Sequence, residues 1–328
     1  MTQSPSAGSP LRVGVVGLGV MGKNHARVLA ELPGVTLAGV ADPDPAQVEF
    51  VTSRLGCRGF ASLEAMMAEG LDAVTIAAPT QLHTPLALAA IAGGLHVLVE
   101  KPIAQSVEEG RRIIDAAHRA GRMLMVGHVE RFNPAAQSVK QALEGEEILS
   151  IQITRVGPFP PRMSDIGVVI DLAVHDIDLI RWFTGSEIED IQPQTNSIHA
   201  AREDIALLQF RTRSGVLAHI NTNWLTPFKA RTVQVATRGK YVVADLITRQ
   251  VTECFDYKPD GSYSMRHLSV GYQEPLRAEL LAFVDAVRSG RSPQVGGADG
   301  LASLDIAMRC LASRPPEAPA LRVATARG

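Results

Sequence analysis

The chain has 328 residues, of which 46% are hydrophobic and 20% charged, so it can bury a large core and is long enough for two domains. A formal net charge of -2 argues against the basic surface of a nucleic-acid-binding protein. No apolar run approaches the roughly 18 residues that a membrane span needs. Residues 1–10 are rich in Ser, Pro and Gly, which predicts a disordered lead-in rather than a signal peptide. We therefore expect a cytoplasmic protein without nucleic-acid or membrane partners.

The first third of the chain alternates short apolar runs with segments of helical periodicity. Apolar runs predict strands at Leu11–Val16, Val35–Ala41, Ala73–Ala77, His96–Glu100 and Met123–Gly127. The segments between them predict helices at Met21–Leu32, Gln47–Leu55, Pro85–Gly93 and Val107–Ala120. Continuously apolar strands separated by helices are typical of a doubly wound parallel sheet, which we assign to residues 11–127.

The pattern changes in residues 128–328, which we assign to a second domain for substrate binding and oligomerisation. Helices are predicted at Asn133–Leu143, Asp171–Phe183, Pro275–Ser289 and Asp299–Ser313, and the last helices could pack back on the first domain. Strands are predicted at Ile148–Val156, Ile205–Arg211, Val216–Asn223, Arg231–Ala236, Lys240–Leu246 and Gln250–Phe255. Consecutive strands with few helices between them favour an antiparallel sheet.

Glycines follow the first predicted strand in the pattern Gly17-Leu18-Gly19-Val20-Met21-Gly22 and open the first helix. Such a loop presents backbone N–H groups and a helix N-terminus to a pyrophosphate. Asp42 ends the second strand, where a carboxylate binds the adenosine ribose and repels a 2′-phosphate, and the next residues, Pro43-Asp44-Pro45, offer no Arg for such a phosphate. The pattern predicts NAD rather than NADP; the alternative is a glycine turn in a nucleotide-free α/β domain.

Further motifs follow the ends of later predicted strands: Ala78-Pro79-Thr80 with His83, and Glu100-Lys101-Pro102. With the Asp171–His175 segment and the late Asp299-Gly300-Leu301, they resemble the Gfo/Idh/MocA oxidoreductase family from about Leu11 to Val323. The resemblance implies a Rossmann domain, a second α/β domain with an open, mostly antiparallel sheet, and a nicotinamide in the cleft between them. It also implies a cis bond before Pro102, and homodimers or homotetramers that form through the second sheet. The implied cofactor-binding residues are Gly17, Gly19, Val20, Met21, Gly22, Asp42, Pro79, Thr80, His83, Glu100 and Lys101.

Oxidation of a secondary alcohol needs a base for the hydroxyl proton, and histidine titrates in the useful range. Asp171 and His175 are four residues apart, so they share one face of a helix. By the resemblance, His175 is the acid/base, Lys101 stabilises negative charge on the oxygen, and Asp171 binds substrate or orients His175. The alternatives are a surface pair of His175 with Asp178 and a solvated Lys101. The family often has Gly where this chain has Ala173, which leaves the substrate class open.

Later segments resemble the branch of the family that oxidises the 3-hydroxyl of UDP-N-acetylglucosamine. A diphosphate needs cations, a ring can stack on an aromatic side chain, and an amide can bind sugar hydroxyls. The substrate-binding candidates, besides Lys101, Asp171 and His175, are Arg131, Asn133, Arg162, Trp224, Lys229 and Arg231. Each could instead be an ordinary surface cation, a core aromatic or, for Asn133 before Pro134, a helix cap.

Two other functions remain open on the sequence. One is a myo-inositol 2-dehydrogenase or another dehydrogenase of free sugars or cyclitols, because the same residues would carry the hydride step. The other is a non-catalytic NAD(H)-binding regulator on the same scaffold. No metal site is expected, because the widely spaced Cys57, Cys254 and Cys310 lack ligand spacing and read as small buried side chains.

Overall fold

A computed structural model describes residues 9–160 and 166–313. Most of the predicted lead-in and the candidate Arg162 lie outside the described residues. The chain forms two compact units. The first joins the chain through Asn133 to Gln273–Leu304, and the second joins Pro134–Tyr272 to the chain from Asp305. Gln273–Leu304, which the sequence pattern placed in the second domain with helices that could pack back on the first, groups with the first unit.

The first unit begins with alternating strands and helices. They are β1 (Leu11–Val16), α1 (Val20–Glu31), β2 (Val35–Ala41), α2 (Pro45–Leu55), β3 (Gly59–Phe60), α3 (Leu63–Met67), β4 (Ala73–Ile76), α4 (His83–Ala92), β5 (His96–Glu100), α5 (Val107–Ala120) and β6 (Leu124–Gly127). Six parallel strands make one sheet in the order β3-β2-β1-β4-β5-β6. This confirms the predicted doubly wound sheet. The sequence pattern missed β3 and α3, which are too short to show a period.

Local signals explain the boundaries of α5. The Ser106 side chain accepts a hydrogen bond from the Glu109 amide at 3.2 Å and caps the first turn. Glu108 and Glu109 stand at the positive end of the helix dipole, and Arg119 stands at the negative end. Gly121 ends the helix with a φ of 61°, a conformation that favours glycine. These signals place α5 at the predicted bounds.

The second unit carries a larger sheet. Its elements are α6 (Pro134–Ala142), β7 (Ile148–Pro158), α7 (Val174–Thr184), β8 (Ile188–Asn196), β9 (Ile205–Thr212), β10 (Leu217–Asn223), β11 (Leu225–Thr237), β12 (Lys240–Asp245), β13 (Gln250–Phe255) and β14 (Ser264–His267). The eight strands are ordered β14-β13-β12-β11-β7-β10-β9-β8. Among these described strands, β7 and β10 pair in parallel and the other neighbours pair antiparallel. The predicted, mostly antiparallel sheet is confirmed.

One face of this sheet packs on the core and the other is open. In β9, Ala206, Leu208 and Phe210 are buried, whereas the alternate residues Leu207 and Gln209 are exposed. The helices α6 and α7 contact strands of the sheet. The sequence pattern missed β8, an edge strand that includes Pro193; proline is tolerated at an edge because it cannot donate to a strand ladder.

Two helices follow the second sheet in the chain, α8 (Pro275–Ser289) and α9 (Gly297–Ala312). The helix α8 packs against α1 within the first unit. Within the described residues, no helix combines the length and the apolar character that crossing a bilayer requires. The cysteines are free thiols. Cys310 is buried as expected, whereas Cys57, between α2 and β3, and Cys254, near the end of β13, are only partly buried.

Candidate active site

The glycine loop of the first unit is shaped by close backbone contacts. Gly17 has a φ of 85°, and a Cβ there would lie 2.5 Å from the Ala78 amide nitrogen. A Cβ on Gly22 would lie 1.7 Å from the Gly17 oxygen, so only glycine fits at either position. A Cβ on Gly19, by contrast, would meet no atom within 4 Å. The loop is therefore packed on one side and open at Gly19, which fits the close approach of a pyrophosphate.

The first helical turn after the loop is suited to an anion. The helix α1 begins at Val20, has no side-chain cap and carries no acidic residue in its first turn. Its amide N–H groups and the positive end of its dipole are the groups that bind phosphates at such helices. Val20 and Met21 stand at the tip of the loop with 74% and 36% of their surface exposed. These features fit the NAD-binding role predicted for the loop.

Asp42 ties the glycine loop to the end of β2. Its Oδ2 accepts a hydrogen bond from the Leu18 amide at 2.6 Å, and its Oδ1 accepts one from the Asp44 amide at 2.9 Å. A carboxylate oxygen can accept a second hydrogen bond, so these contacts leave capacity for ribose hydroxyls. Asp42 thus shapes the loop, and its contact with the ribose stays a prediction.

The segment after β4 holds the next three cofactor candidates. Pro79 is exposed, and Thr80 begins a single 3₁₀ turn that leads into α4. His83 is buried, with its Nδ1 2.8 Å from the Pro102 oxygen and its Nε2 2.9 Å from the Ala78 oxygen. Burial lowers the pKa of His83 despite these two carbonyl contacts. His83 therefore links the segment at Ala78 to the segment at Pro102. A direct contact between His83 and the cofactor stays a prediction.

Lys101 follows β5 and is half-buried. The Lys101–Pro102 peptide bond is cis, as the family resemblance predicts. The Lys101 amide donates to Glu100 Oε2 at 3.3 Å, and Glu100 Oε1 lies 2.9 Å from His25 Nε2 on α1. Burial raises the pKa of Glu100, but the hydrogen bond and attraction from His25, together with Lys101, outweigh it and hold the pKa below its usual range. Glu100 is therefore an ionised side chain that links α1 to the Lys101 segment.

A group of side chains with metal-ligand chemistry also lies in this unit. One nitrogen or oxygen of each of His25, Glu100 and Glu279 lies within 4.8 Å of the others. His25 Nε2 and Glu100 Oε1 already face each other at hydrogen-bond distance, so these two atoms satisfy one another without an ion. The arrangement is a buried polar cluster in which His25 and Glu100 are hydrogen-bonded and Glu279 lies beside them.

In the second unit, Asp171 and His175 lie on one continuous helical stretch. A π-helical turn spans Val169–Ala173 and passes directly into α7 at Val174. Both side chains are half-buried, which leaves each of them an accessible part. π-Turns are rare and are often found at functional sites. The spacing of four residues keeps Asp171 and His175 on nearly the same side of the stretch, as the sequence predicted.

The acidic neighbours of His175 are buried rather than exposed. Asp176 has no exposed surface and binds Arg155 on β7 through three contacts of 2.8 to 3.0 Å. Asp178 is 1% exposed, so the alternative of a surface pair with His175 does not fit. A fully buried guanidinium–carboxylate pair fixes this helix against the sheet. Arg155 was not among the sequence candidates, because nothing local to it signals its partner.

The start of the same helical stretch is held by a loop that the sequence did not identify. The Glu203 carbonyl accepts from the Val168 amide at 2.9 Å, and its Oε1 accepts from the Val169 amide at 3.2 Å. A Cβ on Gly167 would lie 2.0 Å from that Oε1, so a side chain there would have to displace the Glu203 carboxylate. Glu203 thus caps the turn that carries Asp171.

Of the substrate candidates, Arg131 and Asn133 are buried in the first unit. Arg131 donates to the Gln294 oxygen and to Asp299 Oδ1, each at 3.2 Å. Asn133 donates to Glu130 Oε2 at 3.2 Å and directly precedes α6. These contacts give Arg131 a structural role within the unit. A role for either residue in substrate binding stays a prediction.

The remaining substrate candidates lie in the second unit. Trp224 is 4% exposed and packs edge-on against Phe159, with ring centroids 5.8 Å apart, so it is part of the core. This burial favours a packing role over stacking on a sugar or base. Lys229 is exposed and Arg231 is half-buried on β11, where the pairing with β7 is interrupted between Leu225 and Ala230. Lys229 is therefore the most accessible described cation of the predicted set.

Comparison with known proteins agrees with these features. A family model described as the NAD-binding Rossmann fold of an oxidoreductase family matches residues 11–128, and the C-terminal domain model of the same family matches residues 145–242. UDP-N-acetylglucosamine 3-dehydrogenase of Acidithiobacillus ferrooxidans is 30% identical over 303 residues, covering 91% of this chain and 96% of that protein. Its solved structure superposes with a TM-score of 0.86 at 29% identity, covering 92% of this chain and 96% of the other.

Two further relatives widen the range of substrates. An inositol 2-dehydrogenase of Rubrobacter xylanophilus is 32% identical over 326 residues, covering 94% of this chain and 92% of that protein. The solved structure of GenD2 from gentamicin A biosynthesis, a complex with NAD, has a TM-score of 0.80 at 25% identity. The superposition covers 95% of this chain and 97% of the GenD2 chain. The similarity thus extends over nearly the whole chain and joins proteins with different sugar or cyclitol substrates.

Proposed function

Because this chain belongs to the Gfo/Idh/MocA family of NAD-dependent oxidoreductases, we propose that it oxidises the 3-hydroxyl of UDP-N-acetylglucosamine to a ketone. The observation that carries the proposal is the half-buried pair Asp171 and His175 on one helical stretch, held by Arg155 and Glu203. A regulator that only sensed NAD(H) would not need an acid/base pair held in this way. The similarity to UDP-N-acetylglucosamine 3-dehydrogenase supports the choice of substrate.

In the proposed reaction the secondary alcohol loses a hydride from carbon and a proton from oxygen. When bound, NAD is the hydride acceptor. His175 accepts the hydroxyl proton and later releases it to solvent, which is the usual role of an imidazole near neutral pH. Lys101 stabilises the negative charge that develops on the oxygen, and Asp171 orients the imidazole or a substrate hydroxyl. The reverse reaction uses the same groups in the opposite order.

The nucleotide part of the proposed substrate needs cations for its diphosphate. Lys229 and Arg231 are accessible enough to supply them, whereas Arg131 is already bound to Asp299 and Gln294. The internal contacts of Arg131 and the burial of Trp224 leave fewer groups for a nucleotide than the sequence predicted. This favours a second candidate, a myo-inositol 2-dehydrogenase, which needs no diphosphate site. The similar inositol 2-dehydrogenase supports that candidate.

The first test is NADH absorbance after the protein is mixed with NAD and either UDP-N-acetylglucosamine or myo-inositol, with a carbonyl trap to offset an unfavourable equilibrium. We expect NADH with the nucleotide sugar. NADH with inositol alone would make inositol the substrate in place of the nucleotide sugar and leave the proposed hydride transfer unchanged. No NADH with either would favour another sugar or a non-catalytic NAD(H)-binding regulator.

Replacing His175 by Asn tests the acid/base assignment. We expect turnover to fall by about 10²–10⁴-fold, the usual contribution of general acid–base catalysis. His118→Asn, an exposed histidine on α5, is the matched control and should keep full turnover. Unchanged turnover in His175→Asn would remove His175 from the mechanism.

We also propose that a second copy of the chain covers the open face of the second sheet, in a homodimer or as part of a homotetramer. Leu207 and Leu217, on neighbouring strands β9 and β10, are 47% and 51% exposed. Gln152, on β7, is exposed on the next strand of the sheet. Leucines on a broad sheet face are typical of an interface between subunits.

A further inference from the structure

A buried polar cluster adjoins Lys101 within the first unit. It consists of His25 on α1, Glu100 at the end of β5 and Glu279 on α8. His25 and Glu279 have no exposed surface, and Glu100 is 7% exposed. The proposed reaction uses none of these three side chains directly. Their burial therefore needs another explanation, because isolated polar groups are costly to bury.

Glu279 is the unusual member of the cluster. Both of its carboxyl oxygens, and Nδ1 of His25, are buried without a hydrogen-bond partner. Burial, and then the negative charge of Glu100, hold the pKa of Glu279 well above its usual range. Glu279 is therefore a neutral acid with one O–H group to donate. A Glu100 oxygen lies within 4.8 Å of a Glu279 oxygen, so the two carboxyl groups are neighbours without a hydrogen bond between them.

Glu100 connects the cluster to Lys101. Its Oε1 faces His25 Nε2 at 2.9 Å, and its Oε2 accepts from the Lys101 amide at 3.3 Å. Its carboxyl group also lies against Gly127 on β6, where a Cβ would come within 3.0 Å of the carboxyl carbon and both oxygens. The orientation of this one carboxylate therefore bears on the position of the Lys101 backbone.

We propose that His25 and Glu279 are positioning residues for Lys101 that act through Glu100. His25 donates to one carboxylate oxygen, and the neutral carboxyl group of Glu279 packs beside the carboxylate and limits its position. The carboxylate fixed in this way holds the Lys101 amide and thereby limits where the Lys101 amine can lie. The proposal rests on the proposed function only for the part that Lys101 plays in turnover.

The substrate-free test follows the Lys101 amine by NMR in the NAD-bound protein. Lysines are dimethylated with ¹³C, and the Lys101 signal is assigned by its loss in Lys101→Arg. His25→Leu and Glu279→Leu remove the polar groups at similar volume, whereas His25→Gln and Glu279→Gln keep a neutral polar group at each position. We expect the Leu variants to shift the Lys101 signal beyond its line width, the Gln variants to restore it, and the other lysine signals to stay in place.

A Lys101 signal that stays in place in both Leu variants would overturn the proposal. So would Gln variants that perturb it as strongly as the Leu variants. If the Leu variants fail to fold, Gly127→Ala gives an independent perturbation, because the new methyl group crowds Glu100 directly and should move the Lys101 signal. A stoichiometric divalent cation found by elemental analysis of the purified protein and lost in Glu279→Gln would also overturn it, since Glu279 would then be a ligand.

Turnover gives the second readout, with whichever substrate forms NADH. We expect kcat to fall about tenfold in His25→Leu while the Kd for NAD changes less than about threefold. In a Lys101→Met background the same substitution should have no further effect, because a residue that acts through Lys101 loses its route. An equal loss in both backgrounds would indicate a general structural role. If no substrate forms NADH, the proposed function fails, and the NMR result still decides the positioning role.

Discussion

Replacing Glu279 by glutamine isolates the effect of burying one carboxyl group. Glu279 is fully buried and lies near the ionised Glu100, and both effects keep its proton bound in the folded protein. In the unfolded chain the same group ionises near its ordinary pKa of 4.5. The folded state therefore binds one more proton than the unfolded state, and stability must fall as pH rises.

The size of the effect follows from proton linkage. Above pH 4.5, the free energy of unfolding of the wild type falls by up to about 1.4 kcal/mol for each pH unit, until the folded-state pKa of Glu279 is reached. Glutamine has nearly the same shape and no titration. We expect the Gln variant to match the wild type near pH 4.5 and to be more stable at neutral pH. Over two pH units the gain should reach about 2.7 kcal/mol at most.

The assay is urea unfolding followed by circular dichroism at pH 5, 6, 7 and 8, with peptide-resolved hydrogen exchange of α8 and β5 as the local readout. Asp285→Asn, an exposed acid on the same helix, is the matched control and should show no such gain. Other charged groups on the segments that pack against α8 are common to both proteins, so they cancel in the difference; they are Lys23, Arg27, Glu31, Glu130 and Arg131. A stability difference that does not grow with pH would refute a protonated Glu279.

Three further predictions concern the cofactor, the acid/base helix and the sheet. Asp42→Asn keeps an acceptor for the Leu18 amide but removes the charge. The ratio of the Kd for NADP to the Kd for NAD should fall about tenfold or more in the variant, since charges about 4 Å apart repel by roughly 1–4 kcal/mol. The same ratio in variant and wild type would mean that Asp42 does not face the ribose. Arg155→Met removes the guanidinium that binds the fully buried Asp176 and should lower the free energy of unfolding in urea by about 3–5 kcal/mol, most of it recovered when Asp176→Leu is added. No recovery would contradict the pairing. Leu207→Lys on the open sheet face should lower the mass measured by light scattering, and an unchanged mass would exclude this face as the interface.

The sequence by itself determined the first half of the fold. Each predicted strand of the parallel sheet is present because buried parallel strands are continuously apolar, and helices such as α2 and α5 begin at side-chain caps. The glycine loop and the position of Asp42 at the end of β2 could also be predicted, since a backbone turn and a strand end are local features. The pair Asp171 and His175 was predicted for the same reason, because the sequence itself gives their spacing of four residues along one helix.

Only the tertiary structure decided which polar groups meet. Arg155 pairs with Asp176, Glu203 caps the turn at Val169, and Glu279 approaches Glu100 from a distant helix. Nothing local marks such partners, because a buried ion pair or cap depends on which elements pack together. The same cause removed Arg131 and Trp224 from the accessible groups, since sequence shows their chemistry but not their burial. Periodicity and caps act over a few residues, whereas burial and pairing are properties of the packed chain.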